Sequence, residues 1–309
     1  MKPAASIVIF TTVSGTAQGV AVALAAATLA ESAPAALRPM LWAVAALLLA
    51  ALAASFFHLG HPLRAWRAVL MWRTSWMSRE VIALPAFLLI VAAWAWQAPD
   101  WPAAHPGHQV FAWLVIVGSL VLWYCTAMIY ASIRFIQEWA HPLTIVNYVT
   151  LGLASGLVAC GALAVAAGER DFAQALAPWA LASTAIAWFT RWLSLRRNAS
   201  LKPRSTVQSA TGIPSARIVQ KSMGMTGGSF NTREFFHGAS TAALRSVRIV
   251  FQVFAFAIPL LLLAWAQHAE SGSLWLFAVL SQTAGLLAER WLFFAQARHP
   301  QNIYYQVVS

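Results

Sequence analysis

Charged residues are scarce in this chain, and acidic residues are the scarcest. Its 309 residues include 20 Lys and Arg but only 9 Asp and Glu, so charged residues make up 9% of the sequence. An ordinary soluble domain carries roughly 25% charged residues, because its surface must be hydrated. With 60% hydrophobic residues, this composition excludes a soluble fold and assigns the apolar excess to contact with lipid.

Cysteine is nearly absent as well. Cys125 and Cys160 are the two cysteines, and each lies inside an apolar run without a CxxC or metal-ligand spacing. We therefore expect two packed thiols, and neither a disulfide nor a metal or cluster held by this chain. The excess of basic residues does not indicate nucleic-acid binding, because these residues lie between apolar runs and not on one folded basic face.

Long apolar runs dominate what is present. Eight runs approach the roughly 20 residues that a helix needs to cross the hydrocarbon core of a bilayer. They are continuous and do not alternate with polar residues, which favours helices over a β-barrel. The first run is too long for the core of a signal peptide. We predict an all-α integral membrane protein, a single domain over 1–309 with an eight-helix bundle at residues 6–30, 40–58, 81–97, 109–132, 143–167, 172–195, 247–267 and 274–294.

The basic residues are distributed asymmetrically between the two sides of these spans. Eighteen of the 20 Lys and Arg residues fall on the side of the N-terminus, and only Arg38 and Arg170 fall opposite, whereas the acidic residues divide 4 to 5. Cytoplasmic loops carry the excess of Lys and Arg. The sequence therefore predicts both termini in the cytoplasm (N-in/C-in), in the inner membrane of a bacterium, with the main soluble face cytoplasmic.

One connection, residues 196–245 between the sixth and seventh spans, is far longer than the others and is predicted to be cytoplasmic. Its first half resembles a flexible linker. Its second half combines glycines with Phe230, Phe235 and Phe236, which predicts an ordered segment packed on the helix ends or on a partner. Two interpretations of this basic face stay open. The general excess of Lys and Arg in cytoplasmic loops accounts for it fully, or the face also docks an acidic or iron–sulfur protein. The candidate docking residues are Arg67, Arg73, Asn231, Arg233, Glu234 and His237.

The densest group of polar residues follows the second span. It contains His58, His61 and Arg64, and then Ser78, Arg79 and Glu80 at the opening of the third span. Reducing a quinone, or oxidising a quinol, moves two protons with two electrons. An imidazole that titrates near neutrality and a carboxylate that relays protons suit that chemistry.

Simpler interpretations of the same residues stay open. His58 is also compatible with an interfacial histidine whose hydrogen bonds are satisfied. His61 before Pro62 is compatible with a helix cap, as are the other His-Pro pairs. Glu80 is compatible with a carboxylate that stabilises the first turn of a helix.

The run from His58 to Ala65, followed by Ser78-Arg79-Glu80, resembles the signature of the DmsC family of membrane anchors. The resemblance covers nearly the whole chain and implies the eight-helix layout. In that family the residues matching His58 and Glu80 are implicated in menaquinol binding, and Arg64 is a third candidate. The resemblance implies that no haem is bound here, although a haem near His58 and His141 is the alternative. It also implies a heterotrimer, in which a molybdopterin subunit and a [4Fe–4S] ferredoxin-like subunit hold the other cofactors and this chain has no catalytic residue.

A second resemblance concerns the substrate of the complex. The runs 72–80 and 227–236 are similar to those of the sulfite dehydrogenase branch of this family. This implies an anchor that passes electrons from sulfite oxidation to menaquinone or ubiquinone. The alternatives are a quinol-oxidising anchor of a dimethyl sulfoxide reductase-like enzyme, a scaffold without quinone, and a transporter, which would show inverted repeats and broken helices.

Overall fold

The computed structural model describes residues 1–57, 59–98, 101–102, 105–222, 235–269 and 271–304. Within these ranges the protein is a helical bundle without strands, and seven helices are long and apolar enough to cross a membrane. These are α1 (Ala5–Leu29), α2 (Leu37–Phe56), α3 (Trp76–Gln97), α4 (Pro106–Ala131), α5 (Pro142–Ala166), α6 (Arg170–Ala199) and α8 (Thr241–Ala269). The short helix α7 (Val207–Thr211), the helix α9 (Gly272–Ala295) and 3₁₀ segments at Pro62–Met71 and Pro300–Tyr304 complete the described elements.

Helix α9 corresponds to the predicted span 274–294 but is not one of the seven. It has 24 residues, which is long enough to span a bilayer. It contains Gln282, Glu289 and Arg290, and all three are buried among its neighbours. The sequence therefore identified the helix, and its polar residues serve contacts inside the bundle.

Helix α3 begins earlier than the predicted span 81–97. Its N-cap is Ser75, whose Oγ accepts a hydrogen bond at 3.4 Å from the backbone N–H of Ser78. A serine in this position satisfies a backbone donor that the first helical turn leaves unpaired. As a result, Glu80 lies one turn inside the helix.

Helix α1 is central, because it packs against α2, α4, α5 and α9. Glycines allow its closest approach to α5. A Cβ atom added to Gly19 would lie 2.1 Å from the carbonyl oxygen of Gly152, and one added to Gly156 would lie 2.2 Å from the Cα of Gly19. Small residues at such a crossing bring two backbones into direct contact, which drives helix association in membranes. A hydrogen bond of 3.0 Å from Thr16 to Ser155 joins the same two helices.

Consecutive membrane helices alternate in direction, so at each end of the bundle some helices begin and the others end. At one end α1, α3, α5 and α8 begin, and α2, α4, α6 and α9 end. For example, the Asn147 side chain near the start of α5 donates to Ser194 near the end of α6 at 3.0 Å. Arg38 and Arg170, the two basic residues predicted on the minority side, lie in the first turns of α2 and α6 and hence at the other end. We call the first end the basic end.

Helix α8 contains a π-helical turn at Val253–Ala257. Such a turn changes the hydrogen-bond register of the helix and leaves carbonyl groups to other donors. Two side chains of α9 supply donors. The Ser281 hydroxyl donates to the Phe254 carbonyl at 2.9 Å, and the Gln282 amide donates to the Ala255 carbonyl at 3.3 Å. The polar residues of α9 thus hold α8 in a specific register.

The long connection is attached to the bundle where it leaves α6. Arg197 donates two hydrogen bonds of 3.1 Å to the carbonyl of Gln137, and the Gln137 side chain donates to the Lys202 carbonyl at 3.2 Å. The segment after α6 therefore lies against the α4–α5 connection. Residues 223–234 are outside the described residues.

Candidate functional site

Glu80 is a carboxylate buried at the basic end of the bundle. It lies one turn into α3, with 8% of its surface exposed, and accepts a hydrogen bond from the Thr126 hydroxyl of α4. Ionisable residues at membrane depth are costly and usually face the bundle interior for a functional reason. The position of Glu80 between two helices agrees with that expectation.

The neighbouring predicted residues hold the start of α3 in place. Ser78 is buried, and its N–H is capped by Ser75. The Arg79 side chain turns back over the preceding loop, where it donates hydrogen bonds of 2.9 and 2.8 Å to the carbonyls of Trp72 and Arg73. Its guanidinium lies 4.0 Å from the ring centre of Trp76, a cation–π contact. Arg79 therefore fastens the loop to the helix that carries Glu80.

His61 and Arg64 are exposed at the 3₁₀ segment Pro62–Met71, and neither makes a hydrogen bond or an ion pair with Glu80 in the described part of the chain. His61 occupies the N-cap position of this segment, with Pro62 after it, but its side chain makes no capping hydrogen bond. His141 and His299 do cap, because their Nδ1 atoms accept from the N–H two residues later at 3.1 and 3.3 Å. His58 lies outside the described residues.

The 3₁₀ segment is amphipathic. Leu63 is 94% exposed and Trp66 and Leu70 are exposed too, while Arg64 and Arg67 extend from the same short segment. Amphipathic segments of this composition lie in the interfacial plane of a membrane. Arg73, a predicted docking residue, is exposed just after it and lies 5.4 Å from the ring centre of Trp72.

A cavity of about 850 Å³ opens at the basic end beneath the long connection. Its lining combines acidic, basic and aromatic side chains, namely Glu138, Lys202, Arg204, Phe235, His237, Arg248, Arg298 and His299. The rings of Phe235 and His299 stack at 3.9 Å. Burial lowers the pKa of His237 and of His299, and the nearby amino group of Met1 lowers both further. Of the docking residues predicted in the connection, His237 lines this cavity, while Asn231, Arg233 and Glu234 lie outside the described residues.

A buried ion cluster at the basic end was not predicted from the sequence. The Arg191 Nε of α6 lies 2.6 Å from Glu289 Oε1 of α9, and the side chains are 2% and 1% exposed. The Arg290 Nε lies 3.5 Å from the other carboxylate oxygen, and the Arg290 guanidinium lies 4.1 Å from the ring centre of Tyr148. From the sequence alone, Arg191 and Arg290 belong to the basic residues that mark the N-terminal side, and nothing there indicates that they are buried. The one available signal is the adjacent pair Glu289-Arg290 inside an apolar run.

The Glu80 carboxyl group is buried between α3 and α4, where the Thr126 hydroxyl donates to its Oε1. It does not line the cavity beneath the long connection. Met77 lies three residues before Glu80, on the same side of α3, and is 52% exposed. Exposed apolar surface on α3 therefore lies next to the buried carboxyl group.

Two comparisons bear on identity. The family model described as DMSO reductase anchor subunit (DmsC) matches residues 1–296. A sulfite dehydrogenase subunit of Allochromatium vinosum is 46% identical to this chain over 328 residues, and the match covers 100% of both chains.

Proposed function

Since this chain belongs to the DMSO reductase anchor subunit (DmsC) family, we propose that it is the membrane anchor and quinone-binding subunit of a sulfite dehydrogenase. The similarity to a sulfite dehydrogenase subunit along the full length supports the substrate. The observation that carries the quinone site is the Glu80 carboxyl group, buried beside Thr126 at the start of α3.

The proposed orientation has both termini and the basic end in the cytoplasm, in a bacterial inner membrane. Eighteen of 20 basic residues on one side support it. In this arrangement a ferredoxin-like iron–sulfur subunit docks on the basic end and carries electrons from a molybdopterin subunit that oxidises sulfite. The docking face includes the exposed Arg67 and Arg73 and the half-buried His237, and Asn231, Arg233 and Glu234 are proposed to join it.

In the proposed chemistry the complex delivers two electrons, and this chain delivers two protons to the quinone oxygens. Glu80 holds a proton at its carboxyl group and donates it to the nearer oxygen. Thr126, the donor to Glu80 Oε1, keeps that oxygen turned inward, so the other oxygen faces the headgroup. We propose His58 as the partner of the second oxygen, with His61 and Arg64 at the water-facing entrance. Ser78 and Arg79 fix the first turn of α3, on which the position of Glu80 depends.

The proposal is tested by two assays on the purified complex. One follows sulfite oxidation with an artificial dye as acceptor, and the other uses a soluble quinone. In Glu80→Gln, quinone reduction should fall by roughly a hundredfold, the usual scale for losing an acid–base group, while the dye reaction stays unchanged. Glu169→Gln is the matched control. Its carboxylate accepts from the Ala36 N–H at the opposite end of the bundle, so both reactions should be retained.

His58→Ala should give the same separation between quinone and dye. Equal loss of both reactions in either variant would mean that the substitution damages the assembly, and it would contradict a quinone site. Full quinone reduction by Glu80→Gln would contradict the role of Glu80.

A second candidate function is supported by the description of the family itself, which names a DMSO reductase. In that case the same site oxidises quinol and the protons move in the opposite direction. Dye assays with sulfite as donor and dimethyl sulfoxide as acceptor distinguish the two, because each catalytic subunit reacts with only one of them.

A further inference from the structure

Polar side chains occur at intervals between the cavity beneath the long connection and Glu80, at the basic end. The cavity is lined by Arg248 of α8 and Leu292 of α9. The exposed Arg248 is near enough to Arg191 for their positive charges to repel each other, and Arg191 pairs with Glu289. From there the polar groups continue through Tyr148 of α5 to Tyr130 of α4. Tyr130 lies one helical turn after Thr126, the hydrogen-bond donor to Glu80.

The ion cluster contains more polar atoms than the described side chains satisfy. Arg191 Nη2, Glu289 Oε2 and Asn147 Oδ1 are fully buried and have no hydrogen-bond partner among the described residues. Arg191 Nε is close to Glu289 but outside hydrogen-bond geometry. Buried polar atoms are almost always hydrogen-bonded, either to protein or to ordered water. Several unsatisfied donors and acceptors together provide the two to four partners that a buried water needs.

Two phenol groups occupy the middle of the connection. The rings of Tyr130 and Tyr148 stack with their centres 6.0 Å apart, and both phenols interact electrostatically with Glu80 on one side and Arg290 on the other. The Tyr148 hydroxyl is buried, and the neighbour it interacts with is the Tyr130 hydroxyl, although the pair does not reach good hydrogen-bond geometry. Ring packing with Phe293 and Phe294 accounts for the burial of Tyr130, but it does not use either hydroxyl.

We propose that these residues form a proton path from the cavity to Glu80, in which Tyr148, Tyr130 and water bound at the Arg191–Glu289 pair carry the protons. This inference rests on the proposed function of Glu80. Each hydroxyl passes its own proton toward Glu80 and receives another from the cavity side, so the phenols are unchanged after each transfer. The proton that Glu80 donates is thereby replaced from water at the basic end, and the electrons still come from the iron–sulfur partner.

The path is tested by hydrogen–deuterium exchange of the Glu80 carboxyl group in the whole complex. Infrared spectroscopy follows the C=O band of the protonated carboxyl, recorded at a pH low enough to protonate it and identified as the band missing in Glu80→Gln. The band shifts when the sample is perfused with D₂O, and its rate measures proton access to Glu80.

Tyr148→Phe keeps the ring and its packing but removes the hydroxyl, and it should slow this exchange by roughly tenfold or more. Tyr130→Phe is the second variant and should act in the same direction. Tyr124→Phe is the matched control on α4, because its ring is 45% exposed and lies outside the path. Thermal unfolding of each variant verifies the fold independently.

The outcomes separate the path from the quinone site. Exchange at the native rate in both Tyr148→Phe and Tyr130→Phe overturns the path, while the quinone proposal stands if Glu80→Gln still fails to reduce quinone. Slowing of the same size in Tyr124→Phe also overturns the path, since the effect would then come from a general change in the packing of the helices. If Glu80→Gln retains quinone reduction, the proposed function fails, and the exchange rates still decide whether the path reaches Glu80.

Discussion

Replacing glycine by alanine should have opposite effects on stability at Gly15 and Gly19, which lie one turn apart on α1. A Cβ atom at Gly19 would lie 2.1 Å from the Gly152 carbonyl oxygen and 2.8 Å from the Gly156 Cα, both backbone atoms of α5. At Gly15 the nearest atom is the Gly152 Cα at 3.9 Å, an ordinary contact. A carbon normally approaches a carbonyl oxygen to about 3.3 Å, so Gly19→Ala forces the helices apart by roughly 1 Å.

The magnitude follows from two opposing effects. Overpacking against backbone costs about 3 kcal/mol, the upper part of the usual range, because backbone cannot rotate away. Replacing glycine by alanine inside a helix contributes about 1 kcal/mol of stability at either position. Gly19→Ala should therefore be about 2 kcal/mol less stable than the native chain and Gly15→Ala about 1 kcal/mol more stable. For a chain of this size the Tm values should then differ by roughly 6 °C.

The assay heats the detergent-solubilised complex carrying a fluorescent tag on this chain. Size-exclusion chromatography then measures the fraction that stays monodisperse at each temperature. Equal Tm values for the two variants would refute the direct backbone contact between α1 and α5, on which the position of α5 depends.

Three further predictions follow from individual contacts. Arg191→Met should destabilise the chain by about 3 kcal/mol, because the buried Glu289 then keeps only its longer contact of 3.5 Å with Arg290, and adding Glu289→Leu should restore much of the loss in the same heating assay. Thr126→Val should reduce quinone turnover by roughly tenfold and leave the dye reaction intact, since the carboxyl group stays but loses its orienting hydrogen bond. His299 has a lowered pKa in the folded chain, so its protonation favours unfolding, and the stability it contributes is lost as pH falls below about 6.5. His299→Gln should therefore flatten the decline of Tm between neutral and mildly acidic pH, and an unchanged decline would contradict the burial of this imidazole.

Apolar runs were enough to predict which parts of the chain form helices, because a membrane requires every backbone polar group to be bonded within its own segment. Boundaries were harder to predict. Ser75 extends α3 by a turn through its side-chain cap, a local hydrogen bond that a count of apolar residues does not register. This difference matters for function, since it places Glu80 inside the helix and beside α4.

The site was predicted in part. Glu80 was recognisable because a carboxylate at the edge of an apolar run is expensive, and the structure buries it. Thr126 was not predicted, because a single threonine in an apolar span does not indicate which residue its hydroxyl contacts. The Arg191–Glu289 pair was missed because the two residues are far apart in sequence and meet only because α6 and α9 both pack on α5 and α8. Pairing between helices of this kind is not visible in a single sequence.

The central claim is that a quinone headgroup binds beside the Glu80 carboxyl group, and photoaffinity labelling tests it most directly. The purified complex is irradiated with a photoreactive ubiquinone analogue, with and without an excess of plain ubiquinone, and the labelled peptides are identified by mass spectrometry. The account predicts label on the first turns of α3 and the last turns of α4, suppressed by plain ubiquinone and weakened in Glu80→Gln. Label confined to peptides remote from these turns, or label that neither competitor nor substitution changes, would contradict it.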